Sequence, residues 1–294
     1  MFIDIHGHTF RGMPIVQLAP GHSFMTEPAD LIEVYDRVGI ERAVLLPLVN
    51  PENTPGIYQS NEEILQISRD FPGRFLPFCN VDPRSQHSSW RSPLTAILSC
   101  YREAGFLGIG EVCANLPFLD PRVQNLFGAA QAVGMPLTFH ISPFIGHSYG
   151  LVDDSGLYQL EESLRRFPDL AFFGHSQAFW AEISRIRSND DRMGYPKGPV
   201  EEGRLAELFR RYPNLYGDLS AGSGCNALRR DRDYAMAFLN EFQDRLMFGT
   251  DICAPGTLPD LHEFLLELRE SGDIAEEVFQ KVARENAMRL LGLE

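Results

Sequence analysis

The run FIDIH ends on His6-Gly7-His8. Residues two apart in a strand point to one face, so these imidazoles converge as a pair of metal ligands would. Three further polar residues sit in or at the end of apolar runs. They are His140 in PLTFHIS (136–142), His175 in LAFFGHS (170–176) and Asp251 closing RLMFGTD (245–251). Burying such a group without a partner costs several kcal/mol. Taken singly, either histidine reads as a hydrogen-bonded core residue and Asp251 as a cap of the segment after it. Taken together, five such residues at the same ends of their strands read as one ligand and acid–base centre.

The elements that must carry these residues are visible in the hydropathy pattern. Eight short apolar runs, the mark of parallel strands buried on both faces, cover residues 2–6, 43–49, 74–81, 106–112, 136–142, 170–176, 215–220 and 245–251. Between them lie helical patterns at 28–38, 61–70, 94–104, 122–133, 157–167, 203–212, 231–242, 258–271 and 274–291, several stopped by Gly39, Gly105 or Gly134. Strand–helix alternation eight times over predicts a (β/α)8 TIM barrel spanning 1–294 as a single domain. An open doubly wound sheet is the other candidate, but no GxGxxG follows the first strand. The long connections 7–27, 143–154 and 177–199 all leave C-terminal strand ends, where barrel enzymes build their sites, and the third has room for a short helix near Ala178–Arg187.

The order of HxH, His, His and Asp on the first, fifth, sixth and eighth strands resembles the amidohydrolase superfamily of metal-dependent barrel enzymes. IDIHGH, NVDPR (80–84), NLYGDLS (214–220), FGTD (248–251) and ENAMRLLGL (285–293) resemble its amidohydrolase-2 branch, which includes aminocarboxymuconate-semialdehyde decarboxylase-like enzymes. The resemblance implies that His6, His8 and Asp251 bind one divalent ion. In its mononuclear form His140 completes the set and His175 stays off the metal as an acid–base or oxyanion-stabilising group. Glu111, in FLGIGEV, resembles the IGE glutamate of TatD-like relatives, which bridges two ions. His140 and His175 would then hold the second. The alternative is a Glu111 that hydrogen-bonds a ligand histidine.

Zn²⁺ suits these nitrogen and oxygen donors; it acidifies a bound water toward about 7 and polarises a carbonyl. Asp251 would take the water's proton and pass it to the leaving group, while His175 steadies the oxyanion. The expected function is a metal-dependent hydrolase of an ester, lactone or amide bond in a small carbonyl compound. The alternatives are a non-oxidative decarboxylase or hydratase of a small unsaturated acid, and a non-catalytic metal- or ligand-binding barrel.

Substrate contacts are expected from Arg11 and Arg84, which could clamp a carboxylate or form loop salt bridges. His147, Tyr149, Phe144 and Trp180 could wall in a planar molecule or pack a lid. His22 in the first loop could approach the site, and Asp218 and Ser220 are expected to hydrogen-bond residues there. Cys113 and Cys253, each two residues from a candidate ligand, read as packing.

The charge, 26 Lys plus Arg against 40 Asp plus Glu for a net −14, argues against nucleic acid. Five scattered cysteines with no CxxC pair read as reduced thiols. The uncharged run 123–152 is broken by Gly134, Pro136 and Pro143, so no membrane span is expected. MFIDIHGH lacks a basic leader, and a cytoplasmic protein acting on a small molecule, possible as a homodimer, is the expectation.

Overall fold

The computed structural model describes residues 1–12, 26–53, 58–254 and 260–294. Eight parallel strands form the predicted barrel: β1 (Phe2–Gly7), β2 (Ile40–Leu45), β3 (Phe75–Cys79), β4 (Gly108–Val112), β5 (Leu137–Ser142), β7 (Phe172–His175), β8 (Leu215–Asp218) and β9 (Leu246–Met247). A two-residue strand, β6 (Leu151–Val152), pairs with β5 beside the main path. The barrel is nearly closed, its seam bridged where Ile5 N–H donates to Phe248 O at 3.0 Å and Gly7 pairs with Ile252.

Helix bounds follow the sequence signals closely. Pro28–Val38 (α1) ends at Gly39 with φ 78°, a left-handed cap that glycine adopts freely, and Asn61–Asp70 (α2) begins after Ser60, whose hydroxyl accepts from Glu63 N–H. Leu94–Ala104 (α3) and Pro121–Val133 (α4) follow, then Tyr158–Arg166 (α5), Gln177–Ala181 (α6) and Arg204–Arg211 (α7). One helix escapes the sequence pattern, Ala221–Arg229 (α8), because Gly222 and Gly224 weaken its propensity. Gly224 is needed there, since a Cβ would lie 2.3 Å from Leu219 O. Arg232–Glu241 (α9) and Asp260–Glu270 (α10) precede a terminal helical stretch that is not uniform: Glu276–Gln280 (α11), a π turn over Lys281–Glu285, and Asn286–Leu291 (α12).

The last strand is shorter than the run 245–251 because Phe248 N–H turns to Val282 O and Asp251 N–H to His6 O. Two cores hold the layers together. The larger lies between strands and helices and includes Phe127, Phe139, Phe172, Phe179 and Phe209. The smaller takes alternate strand residues, Ile3 with Ile5, Val44 with Leu46 and Leu76 with Phe78, and includes Ala287 and Leu291 of α12. Alternation places the strand members of this second set inside the barrel, with Ala287 and Leu291 packed against them.

Candidate metal centre

β1 does not run in regular register: its pairing with β2 slips between Asp4 and Gly7. Such an irregularity re-aims side chains. Asp4 accepts from Tyr35 Oη of α1 at 2.7 Å and from Thr250 Oγ1 at 2.6 Å, while His6 reaches Asp218 of β8. His6 Nδ1 lies 2.6 Å from Asp218 Oδ2, and His8 Nδ1 lies 2.9 Å from Leu46 O. A carbonyl or carboxylate oxygen only accepts, so both Nδ1 atoms donate and both Nε2 lone pairs point into the site. Those two Nε2 atoms are 3.1 Å apart.

The remaining donors close around this pair. Asp251 Oδ1 stands 3.7 Å from His6 Nε2 and 3.5 Å from His8 Nε2, and Glu111 Oε2 stands 3.8 Å from each. Ligand atoms on a tetrahedral ion with bonds of about 2.1 Å lie about 3.4 Å apart, so this spacing fits a divalent cation. Glu111 turns its other oxygen to His140 Nδ1, at 2.7 Å, and to His175 Nε2, at 3.7 Å. His175 Nδ1 is 2.8 Å from Ser220 Oγ and 3.6 Å from Asp218 Oδ2. The carboxylate favours a proton on that nitrogen, which leaves the Nε2 lone pair facing Glu111 and Asp251.

Without a cation the cluster holds protons instead. Burial pushes the His6 imidazolium down, but the carboxylates of Asp218, Asp251 and Glu111 outweigh it and hold His6 up to about 10. Burial, reinforced by His6, lowers His8 to about 4 and His175 to about 3, so both are neutral. Burial raises Asp251 to about 7 against the pull of His6, and Glu111, despite its burial, is held well below the usual carboxylate range by His140, His6 and His175. A proton on His6 sits where two lone pairs would otherwise meet. Asp251 itself has φ 53°, a left-handed backbone uncommon outside glycine and often found at functional sites.

The expected substrate contacts separate into two groups. Tyr149 tilts over His140 with ring centroids 4.5 Å apart, and with His147, Ile145, Asn115 and Glu52 it lines a cleft of about 560 Å³. The two arginines, by contrast, are engaged within the chain: Arg84 bonds both oxygens of Glu52 and of Asp82, and Arg11 bonds Asp70 of α2. Trp180 is no wall of the mouth; it is buried, its indole N–H donates to Asp218 O at 2.8 Å, and its ring packs on Phe179. Its single polar atom is satisfied inside, which lets the large ring join the core. His22 lies outside the described residues.

Sequence reasoning did not find the amides that fix the end of β4. Asn80 Nδ2 donates to Glu111 O at 2.5 Å, and Asn50 Oδ1 accepts from Cys113 N–H at 2.9 Å. Asn50 and Asn80 are both buried at the ends of apolar runs, the same signal that singled out the histidines.

A parallel barrel carrying a cage of histidines and carboxylates at the C-terminal ends of its strands is the architecture of metal-dependent barrel proteins. The profile of the Amidohydro_2 family, described as amidohydrolase, matches residues 3–293, and the chain belongs to that family. No curated protein matches it by sequence. Among solved structures it is similar to 2,6-dihydroxybenzoate decarboxylase from Rhizobium (TM-score 0.65, 16% identity, 99% of this chain and 98% of that one). It is also similar to a probable 2-pyrone-4,6-dicarboxylic acid hydrolase from Acinetobacter baumannii (0.61, 14%, 99% and 99%) and to an uncharacterised TIM-barrel protein from Bordetella bronchiseptica (0.63, 19%, 89% and 81%). At these identities the likeness is one of fold. No described helix is long and apolar enough to cross a membrane.

Proposed function

We propose that the chain is a metal-dependent hydrolase that cleaves an ester, lactone or amide bond in a small carbonyl compound. The observation that carries this reading is the pair of Nε2 atoms 3.1 Å apart with both Nδ1 atoms committed as donors. Two lone pairs that close are held together by a proton or by a metal ion that displaces it, and Asp251 and Glu111 supply the negative charge to hold a metal ion. His6, His8, Asp251 and Glu111 would bind it, with Zn²⁺ the ion that suits these donors. Bound there, a divalent ion would acidify a water and polarise a carbonyl.

The chain's own residues do the rest. Asp251 sits at the edge of the cage, its side chain 24% exposed, and takes the proton of the attacking water before returning it to the leaving atom. His175, neutral and tied by Ser220, presents an Nε2 lone pair beside Asp251, so instead of steadying an oxyanion, which needs a donor, it orients the water. Tyr149, whose ring lies against His140, and His147 line a cleft beside the cage where a flat substrate would bind. The five cysteines are free thiols, which supports the expected cytoplasmic setting.

The test is turnover of a panel of lactones, esters, amides and unsaturated or aromatic acids by the zinc-loaded protein in ¹⁸O-water. The expected result is label in a newly formed carboxyl group, lost in His6→Asn and His8→Asn. Release of CO₂ with no label in the organic product would replace hydrolysis by decarboxylation, for which Asp251 would deliver its proton to carbon. Metal uptake with no turnover of any member would leave a non-catalytic binding barrel.

A further inference from the structure

We propose that Cys113 belongs to a second metal position, formed with Glu111 and His140, which gives the centre one thiolate donor. This rests on the reading above, because Glu111 is shared between the two positions. Ligand atoms of Glu111, Cys113 and His140 all lie within 4.8 Å of one another, with Cys113 and Glu111 buried. The two oxygens of Glu111 are divided between separate sets of partners: Oε2 faces His6 and His8, while Oε1 faces His140 and His175. A carboxylate divided in this way is placed to bridge two cations.

The thiol is held where it is by its own backbone. Cys113 N–H donates to Asn50 Oδ1 at 2.9 Å and Cys113 O accepts from Gly150 N–H at 2.8 Å, so loops after β2 and β5 pin the residue from two sides. A cysteine serving as a small hydrophobe has apolar neighbours. This one lies against a carboxylate, its thiol hydrogen-bonded to Glu111. His140, the third donor, has the ring of Tyr149 against its face. Sulfur among the donors favours Zn²⁺, Co²⁺ or Cd²⁺ over Mg²⁺ or Mn²⁺. In this assignment His175 is no ligand of the second ion and keeps its place beside Ser220.

The experiment is stepwise loading of the metal-stripped protein with Co²⁺, following metal content and near-ultraviolet absorption. The expected result is a sulfur-to-cobalt charge-transfer band that grows with the second equivalent. Cys113→Ser and Cys113→Ala lose the band and one of two ions, while His175→Asn keeps both; circular dichroism checks that each variant is folded. Two ions without a thiolate band, or a band that survives in Cys113→Ser, would overturn the thiolate assignment and leave the functional reading standing. A single ion in the wild type would also overturn it. No ion at all would overturn the functional reading, and the second position with it.

Discussion

Asp218 ties His6, His175 and Trp180 together beneath the centre. Its Oδ2 holds His6 and lies near His175 Nδ1, and its carbonyl takes the Trp180 indole. Replacing a partner that orients a ligand histidine weakens metal binding about 10- to 100-fold. Asp218→Asn is therefore expected to lower zinc affinity by that factor with the fold retained, measured by competition with a chromophoric chelator. Proton competition gives a second expectation at this scale. Below about pH 7 the metal-free site holds protons on both His6 and Asp251, and above it on His6 alone. Metal affinity should rise with pH and proton release should fall between pH 6 and 8, which calorimetry in buffers of different ionisation enthalpy reads directly. Stability of the metal-free protein runs the opposite way. His6 is raised above its ordinary 6.5, so its contribution is full below that value and is lost as pH rises through about 10. Added zinc should accordingly raise the melting temperature more at pH 9 than at pH 7.

The elements that present these residues were readable wherever a short apolar run ended in glycine or proline, and α1 to α3 match their signals to the residue. What stayed hidden depends on contacts distant in sequence. α8 is rich in glycine and holds through packing, as Gly224 against Leu219 shows. The role of Trp180 could not be separated from a mouth wall without seeing that Asp218 O receives its N–H. The connection after β7 returns to the barrel by a bridge between Ser184 and Glu202, with Gly203 N–H on Ile183 O. A Cβ at Gly203 would meet backbone oxygens of Glu182 and Ser184 at 2.4 Å. Backbone cannot rotate aside, so Gly203→Ala should destabilise by roughly 1–3 kcal/mol, seen as a lower midpoint in urea unfolding.

Across the whole molecule, the acidic excess and the pairing of Arg11 and Arg84 act on substrates alike. A chain of net charge −14 repels anions at low ionic strength, and neither expected clamp is free to offset that. For a negatively charged substrate kcat/KM should therefore rise with added salt, while a neutral analogue should show no such trend; opposite slopes would point to a cationic funnel. The barrel and most of the cage were legible because strand ends fall at fixed intervals and polar residues there stand out against apolar runs. Which arginines were already paired was not, since Glu52 and Asp70 carry no mark in the sequence that ties them to Arg84 and Arg11.

The seam between β1 and β9 gives the centre a further property. His6 and His8 belong to one side of that seam and Asp251 to the other, with Asp4 bonding Thr250 across it. An ion shared by these residues is a clasp on the edge where the barrel zips shut. During synthesis on the ribosome, the first half of the clasp emerges some 240 residues before the second. The nascent chain cannot hold the ion in this cage until its last strand has docked, so capture of metal would mark the completion of folding and slow the reopening of the finished barrel.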